Sequence, residues 1–201
     1  TVNAHTVIMT DSQTRVDFSK TDITGGAELP GAALTLEDLT PVTGQPQTVW
    51  QWISGSTPHR IQGELIAGHT YRLTEITAPA GYRMAESITF TIAADGSITP
   101  TNADGTDAAN GSGTVDAATQ TVTMKDAHPE LLLRKVDDQT APQPVAGAVL
   151  GIYTASGADA SAPGTLVTTV TTGTDGTATV TGQLSLNAWY MIAELTTPTG
   201  Y

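Results

Sequence analysis

Lysine occurs only three times in this 201-residue chain, at Lys20, Lys125 and Lys135. Lys20 closes a short run in which every second residue is apolar. Side chains alternate across an extended strand, so in "VDFSK" Val16, Phe18 and Lys20 share one face, with Asp17 and Ser19 opposite. In "YRLTE" the same parity aligns Tyr71, Leu73 and Glu75, and in "VTMKD" it aligns Val122, Met124 and Asp126. An amine and two carboxyls thus each end an inward apolar row. Three readings are open. A strand-end lysine can simply reach water, since Lys is rarely fully buried. A buried ion pair is the second, although desolvation leaves such a pair little net stability. The third is chemistry. Burial lowers the pKa of an amine and raises that of a carboxyl, so both neutral forms can coexist near neutrality. A neutral amine held against a carboxyl carbon is a nucleophile at high effective concentration. A second carboxyl, kept protonated by an apolar site, can hydrogen-bond the carbonyl under attack and shuttle protons to the departing water. The product is an amide between Lys20 and Asp126, formed once, with Glu75 as the catalytic group.

The pattern repeats. Asp11 precedes Asp126 by 115 residues, and Lys20 precedes Lys135 by the same 115. Leu131, Leu133 and Lys135 align, as do Tyr190, Ile192 and Glu194, and Val7, Met9 and Asp11 share a face in "HTVIMTD". The repeat predicts three segments. Residues 1–13 are the last strand of a preceding repeat plus a linker, 14–128 a complete domain, and 129–201 a second domain incomplete at its C-terminus. In that division Asp11 is an acceptor without its donor, and Lys135, with Glu194 as its catalytic partner, is a donor without its acceptor. The N-terminal strand of one copy could also complete the second unit of another and bond Asp11 to Lys135.

The elements that must hold these groups are strands. No stretch sustains apolar residues at helical spacing, whereas short alternating runs bounded by Gly, Pro, Asp and Asn recur, so the class is all-β. Strands are predicted at 7–11, 15–21, 33–38, 48–53, 69–76, 87–92 and 121–126. The second unit adds 131–136, 149–154, 166–171, 178–181 and 188–195. "AADGSI" and "GTDGTA" place Asp-Gly between alternating runs, a hairpin signal. Strands this short and this regular suggest a sandwich or barrel. Residues 102–113 read as a flexible connection; their Asp spacing lacks the closing Glu of a calcium-binding EF-hand loop. "GADASAPG" reads as a loop too.

Composition excludes several functions. The net charge of −12 and the lack of any Lys/Arg cluster argue against nucleic acid. No apolar run is long enough to span a membrane, and the first residues lack a signal-peptide pattern, so no membrane contact is expected. Without cysteine there is neither a disulfide nor a thiolate metal site. His5, His59, His69 and His128 are scattered, without metal spacing, and no nucleophile elbow surrounds a Ser, so no turnover enzyme, cofactor or metal is expected. "STPH" reads as a polar turn. Trp50, Trp52 and Trp189 could form a ligand-binding patch, but Trp50 and Trp52 share a face and core packing is the commoner fate. Lys125 points outward and is read as solvated.

Taken together, "VDFSKTD", "ELPGAALTLED", "YRLTEITAPAGY", "SITFTI" and "TVTMKDAH" resemble the Cna protein B-type (SpaA-like, prealbumin-like) domains of Gram-positive surface adhesins and pilins. The second unit carries the resemblance through "LLLRKVDD", "PVAGAVLGIYT" and "YMIAELTTPTGY". The resemblance implies tandem Ig-like/prealbumin-like β-sandwich domains with a self-formed isopeptide bond, Lys20 the nucleophile, Asp126 the acceptor and Glu75 the catalyst. Many members use Asn as acceptor and release ammonia; Asp implies loss of water. The resemblance further implies a structural stalk, extracellular in a cell wall or surface appendage, whose partners are adjacent repeats of the same chain. The alternative is a domain that binds a host extracellular-matrix protein itself.

Overall fold

The computed structural model describes residues 10–40, 47–101 and 113–201. Among them are fourteen strands and no helix. They fall into two compact units, residues up to 79 with 84–126, and 80–83 with 127–201.

The first unit is a sandwich of two sheets. β1 (Arg15–Asp22) lies between β4 (His59–Gln62) and β9 (Thr121–Asp126), with β8 (Gly113–Asp116) at the far edge beyond β9. The facing sheet runs β3 (Gln47–Ile53), β2 (Ala33–Asp38), β5 (Thr70–Thr77), β6 (Ile88–Ile92), β7 (Ile98–Pro100). β1 and β9 are parallel, with Phe18 opposite Val122, Lys20 opposite Met124 and Asp22 opposite Asp126. Inward residues of both sheets make one core, including Val16, Phe18, Val122 and Met124 from one side and Leu36, Tyr71, Leu73 and Phe90 from the other. Alternation is what sorts them: β9 and β5 each bury every second side chain over their inner residues. Asp17 points away from this core yet is also buried, because Arg60 and Arg15 cover it and hold its carboxyl below the usual range.

The second unit repeats the plan with fewer strands. β10 (Glu130–Arg134) pairs with β13 (Thr177–Thr181), and β11 (Val149–Ala155) lies between β12 (Leu166–Thr171) and β14 (Trp189–Thr196). Leu131 opposes Val180 as Val16 opposes Ile61, so β10 stands where β1 stands. Tyr190 mirrors Tyr71: each hydroxyl accepts a backbone N–H from five residues upstream, Ser185 and Ile66 respectively. A hydroxyl clasp recurs as well. Ser54 donates to Leu29 O and accepts from Ala32 N–H; Thr172 donates to Val145 O and accepts from Ala148 N–H.

Several expectations need correction. Thr10 and Asp11 lie outside any strand, while Val7 and Met9, and with them most of the predicted first strand, lie outside the described residues. So do His5 and residues 102–112 of the expected connection; Gly113 instead opens β8. The strand predicted at 131–136 ends at Arg134, so Lys135 sits just beyond it, its N–H donated to Gly176 O. β4 and β8 lie outside the expected strands, and β7 is expected only as the second arm of the "AADGSI" hairpin. They are three or four residues long, and β4 has a single inward apolar residue, Ile61. "STPH" is a bend only through Thr57; His59 begins β4. "AADGSI" is the β6–β7 hairpin, with Gly96 at φ 85°. "GTDGTA" turns just as tightly, Gly173 N–H bonding Thr177 O, but the strands it joins enter different sheets.

Candidate functional site

Lys20, Glu75 and Asp126 meet in the core of the first unit. β1 and β9 are parallel and Lys20 faces Met124, so Asp126 is the next inward residue along β9, diagonally within reach. Lys20 Nζ donates to Asp126 Oδ1. From the opposite sheet, Glu75 Oε1 lies 3.1 Å from Nζ. Side-chain exposure is 1% for Lys20 and 0% for both carboxyls, so none reaches water.

Backbone features aim these groups. The β2–β5 register slips between Ala33 and Leu34, which brings Glu75 opposite Leu34. A bulge of this kind re-aims a side chain without breaking the sheet. Glu75 Oε2 then accepts the N–H of Ala85 at 2.7 Å, which fixes the carboxyl plane. Glu28 does the same for the lysine's backbone, accepting Lys20 N–H at 2.9 Å and the Ser19 hydroxyl at 2.6 Å. The residue pattern carried no sign of Ala85, whose contribution is a main-chain donor. Glu28 lies in an irregular segment, where parity has no meaning.

The electrostatics are unbalanced. One amine faces two carboxyls, and Glu75 Oε1 and Asp126 Oδ2 are buried without accepting a hydrogen bond. Burial pushes the Asp126 carboxyl up to about 6, the neighbouring Glu75 carboxyl adding to the rise and Lys20 opposing it. A carboxyl that sheds its charge this readily is suited to acyl chemistry, because attack on a carboxylate is far harder than attack on the acid.

The second unit brings Lys135 and Glu194 together more loosely. Nζ and Oε2 are 3.6 Å apart, with side-chain exposures of 28% and 29%. The same bulge recurs between Val149 and Leu150, setting Glu194 opposite Leu150 as Glu75 opposes Leu34. A cavity of about 460 Å³ beside Lys135 is lined by Val136, Asp137, Asp138, Gln139, Gly200 and Tyr201. Asp11 is exposed.

The remaining candidates lie elsewhere. Trp50 and Trp52 are half-buried against the core, and Trp52 stacks on His59 at 4.5 Å between ring centres, whose own pKa is lowered by burial. Trp189 is 57% exposed. His69 Nδ1 lies 2.8 Å from Asp38, and His128 stacks on Tyr82. Lys125 is on the outer face of β9, as its parity requires.

Residues 14–106 and 129–201 match the family model described as the SpaA prealbumin-like fold domain. The match spans both units and most of the chain, and the protein belongs to this family. No curated protein matches the chain. Among solved structures it is similar to the Bacillus anthracis TIE protein, at 20% identity and a TM-score of 0.44, over 93% of this chain and 29% of that one. It is similar to a C-terminal fragment of the pilus adhesin SpaC from Lactobacillus rhamnosus GG, at 21% identity and TM-score 0.43, over 94% of this chain and 78% of that one. A mutant of the shaft pilin SpaA from the same organism matches at 14% identity and TM-score 0.38, over 96% and 90%. Likenesses this loose add nothing to the family assignment. The chain spans less than a third of the TIE protein's length.

Proposed function

We propose that this chain is a structural segment of a stalk or shaft in a cell-wall-associated adhesin or pilin, and that its first unit ties itself shut with a Lys20–Asp126 amide. The observation that supports this best is one amine and two carboxyls sealed in a single dry core. As ions they leave a net negative charge, with Asp126 Oδ2 buried and accepting no hydrogen bond, an arrangement costly in a low dielectric. As an amide and a neutral acid they leave none. In the reaction, Lys20 Nζ attacks the Asp126 carboxyl carbon, the new C–N bond forms, and the C–O bond to one oxygen breaks. Glu75 takes a proton from the nitrogen and delivers it to the departing oxygen, so that one water leaves and Glu75 ends as it began. No oxidant or cofactor enters. This is one self-directed event and not turnover.

The amide would join β1 to β9, the first and last strands of the unit, and stop tension from peeling either away. Extracellular location in a wall or appendage and contact with neighbouring repeats follow from the same reading. Binding of a host-matrix ligand has less support, because two of the three tryptophans pack against the core.

Intact mass under denaturing conditions tests the proposal. The wild-type chain should be lighter than its sequence by one water, and Lys20→Ala or Asp126→Ala should restore the full mass. A wild-type chain of unmodified mass sinks the amide even though the fold stands.

A further inference from the structure

Four strands of the first unit have a free edge among the described residues, and three of them are guarded. β4 has four residues with Arg60 among them, β8 has four ending in Asp116, and β7 has three ending in Pro100. Shortness, charge and proline are the devices that keep a sheet edge from pairing with another chain. β3 has none of them. It is seven residues long, "QTVWQWI", without a charged residue or a proline in a chain of net charge −12. Val49 and Ile53 are 41% and 65% exposed, with Gln51 exposed between them. Ser54, just past the strand, donates its N–H to Ala32 O and accepts the N–H of Gly31. By alternation, the main-chain groups of Ile53 and Gln51 point away from β2, toward an edge that no described strand meets.

The residues of this edge match a second copy of themselves. "VWQWI" reads the same in both directions once Val and Ile are taken as equivalent. Turned end for end about Gln51, it places Gln51 against Gln51 of the second strand, Trp50 against Trp52, and Val49 against Ile53. The ladder to β2 is regular from Trp50 to Ile53 and shifts only at Val49, so the stretch is extended where a neighbour must pair. Each match is a favourable cross-strand pair, amide with amide, aromatic with aromatic and apolar with apolar. A twofold contact sets any charge near its axis against the same charge, so an edge that pairs with itself must be neutral. An edge that takes a foreign peptide is under no such restriction. The absence of charge along β3 therefore favours a second copy as the occupant.

We propose that two copies of this chain associate side by side through antiparallel β3 strands, with Gln51 on the twofold axis. The main-chain N–H and C=O of Gln51 in each copy bond those of Gln51 in the other, and the two five-stranded sheets become one continuous sheet. The contact closes at two, because pairing uses up the edge that makes it. It needs neither Lys20 nor Asp126, and so stands apart from the amide.

Sedimentation equilibrium of the 201-residue chain over a wide range of concentration tests the proposal. A reversible monomer–dimer equilibrium is expected, with the dimer favoured by added salt, since salt screens the repulsion between two acidic chains and the contact contains no ion pair to weaken. Two double variants at exposed positions fix the register: Val49→Lys with Ile53→Lys, and Val49→Glu with Ile53→Glu. Each alone sets like charges opposite one another and should dimerise at least about tenfold more weakly than wild type. Mixed in equal amounts they should recover a dimer, because every lysine then meets a glutamate, and that recovery also shows that both variants fold. A wild-type chain that stays monomeric at the highest concentration overturns the proposal. So does assembly beyond two, a dimer that either variant leaves intact, a mixture no more dimeric than its components, or a wild-type dimer that salt dissociates.

Discussion

Glu75→Gln separates chemistry from packing most cleanly. The change is isosteric, keeps both bond partners, and leaves Lys20 with one carboxylate, Asp126, in place of two. The fold should persist and the bond should not form, so the variant keeps its full mass. The stability lost can be worked from the chain. The cross-link would close a loop between residues 106 apart, and the loop-closure entropy removed from the unfolded ensemble corresponds to about 5 kcal/mol at 25 °C. In a unit of this size about 1 kcal/mol moves Tm by roughly 4 °C. The variant should therefore melt about 20 °C below wild type in calorimetry, with an unchanged far-ultraviolet spectrum at 25 °C. Two results would refute the reasoning. If Glu75→Gln still loses a water, the glutamate is not the proton shuttle. If the variant keeps full mass yet melts within a few degrees of wild type, the bond is not what stabilises the unit.

Lys20→Ala strands Asp126 in the core with a raised pKa and without its amine. A carboxyl raised in the folded state above its unfolded value stabilises fully below the unfolded pKa, and that contribution is lost as pH rises through the folded one. The variant should thus lose stability progressively from about pH 4 through 6 and above, whereas bonded wild type has no titrating group at this position; parallel pH–stability curves from denaturant melts would count against the assignment. Ser54→Ala removes the acceptor of the buried Ala32 N–H and the donor to the part-buried Leu29 O, and should cost about 2 kcal/mol in urea melts; a cost near zero would mean the clasp is incidental. Leu73→Ala should cost about 3 kcal/mol, but Ile192→Ala in its equivalent, half-open position less than about 1. Equal costs would mean that the second unit's core is closed in solution.

What could be read from the residues was whatever depends on the period of two. Lys20, Glu75 and Asp126 were legible because each ends an alternating run, and alternation fixes the face without knowledge of the partner strand. The same rule puts Trp50 and Trp52 on one face, and that face packs against the core. Pairing obeys no such local rule. Nothing in "GTDGTA" distinguishes a turn within a sheet from one between sheets, although Gly176 and Gly96 adopt similar positive φ. β4 borrows its order from its neighbours, with too few apolar residues to announce itself. The bulge before Leu34, which sets Glu75 at the right height, is a property of two strands together, and so was visible in neither. Lys135 lies one residue past the strand expected to hold it, because the backbone there bonds to the Gly176 turn instead of continuing the ladder.

The parallel pairing of β1 with β9 has a consequence in time. A hairpin can form as soon as its two arms exist, but β1 must wait for a strand about a hundred residues further along, so this contact is among the slowest to form. Lys20 and Asp126 therefore stay apart until β9 has been made. They meet only once β9 pairs with β1. An amide formed there would act as a seal set at completion: a misassembled chain would remain reversible and degradable, and only a correctly finished one would become permanent.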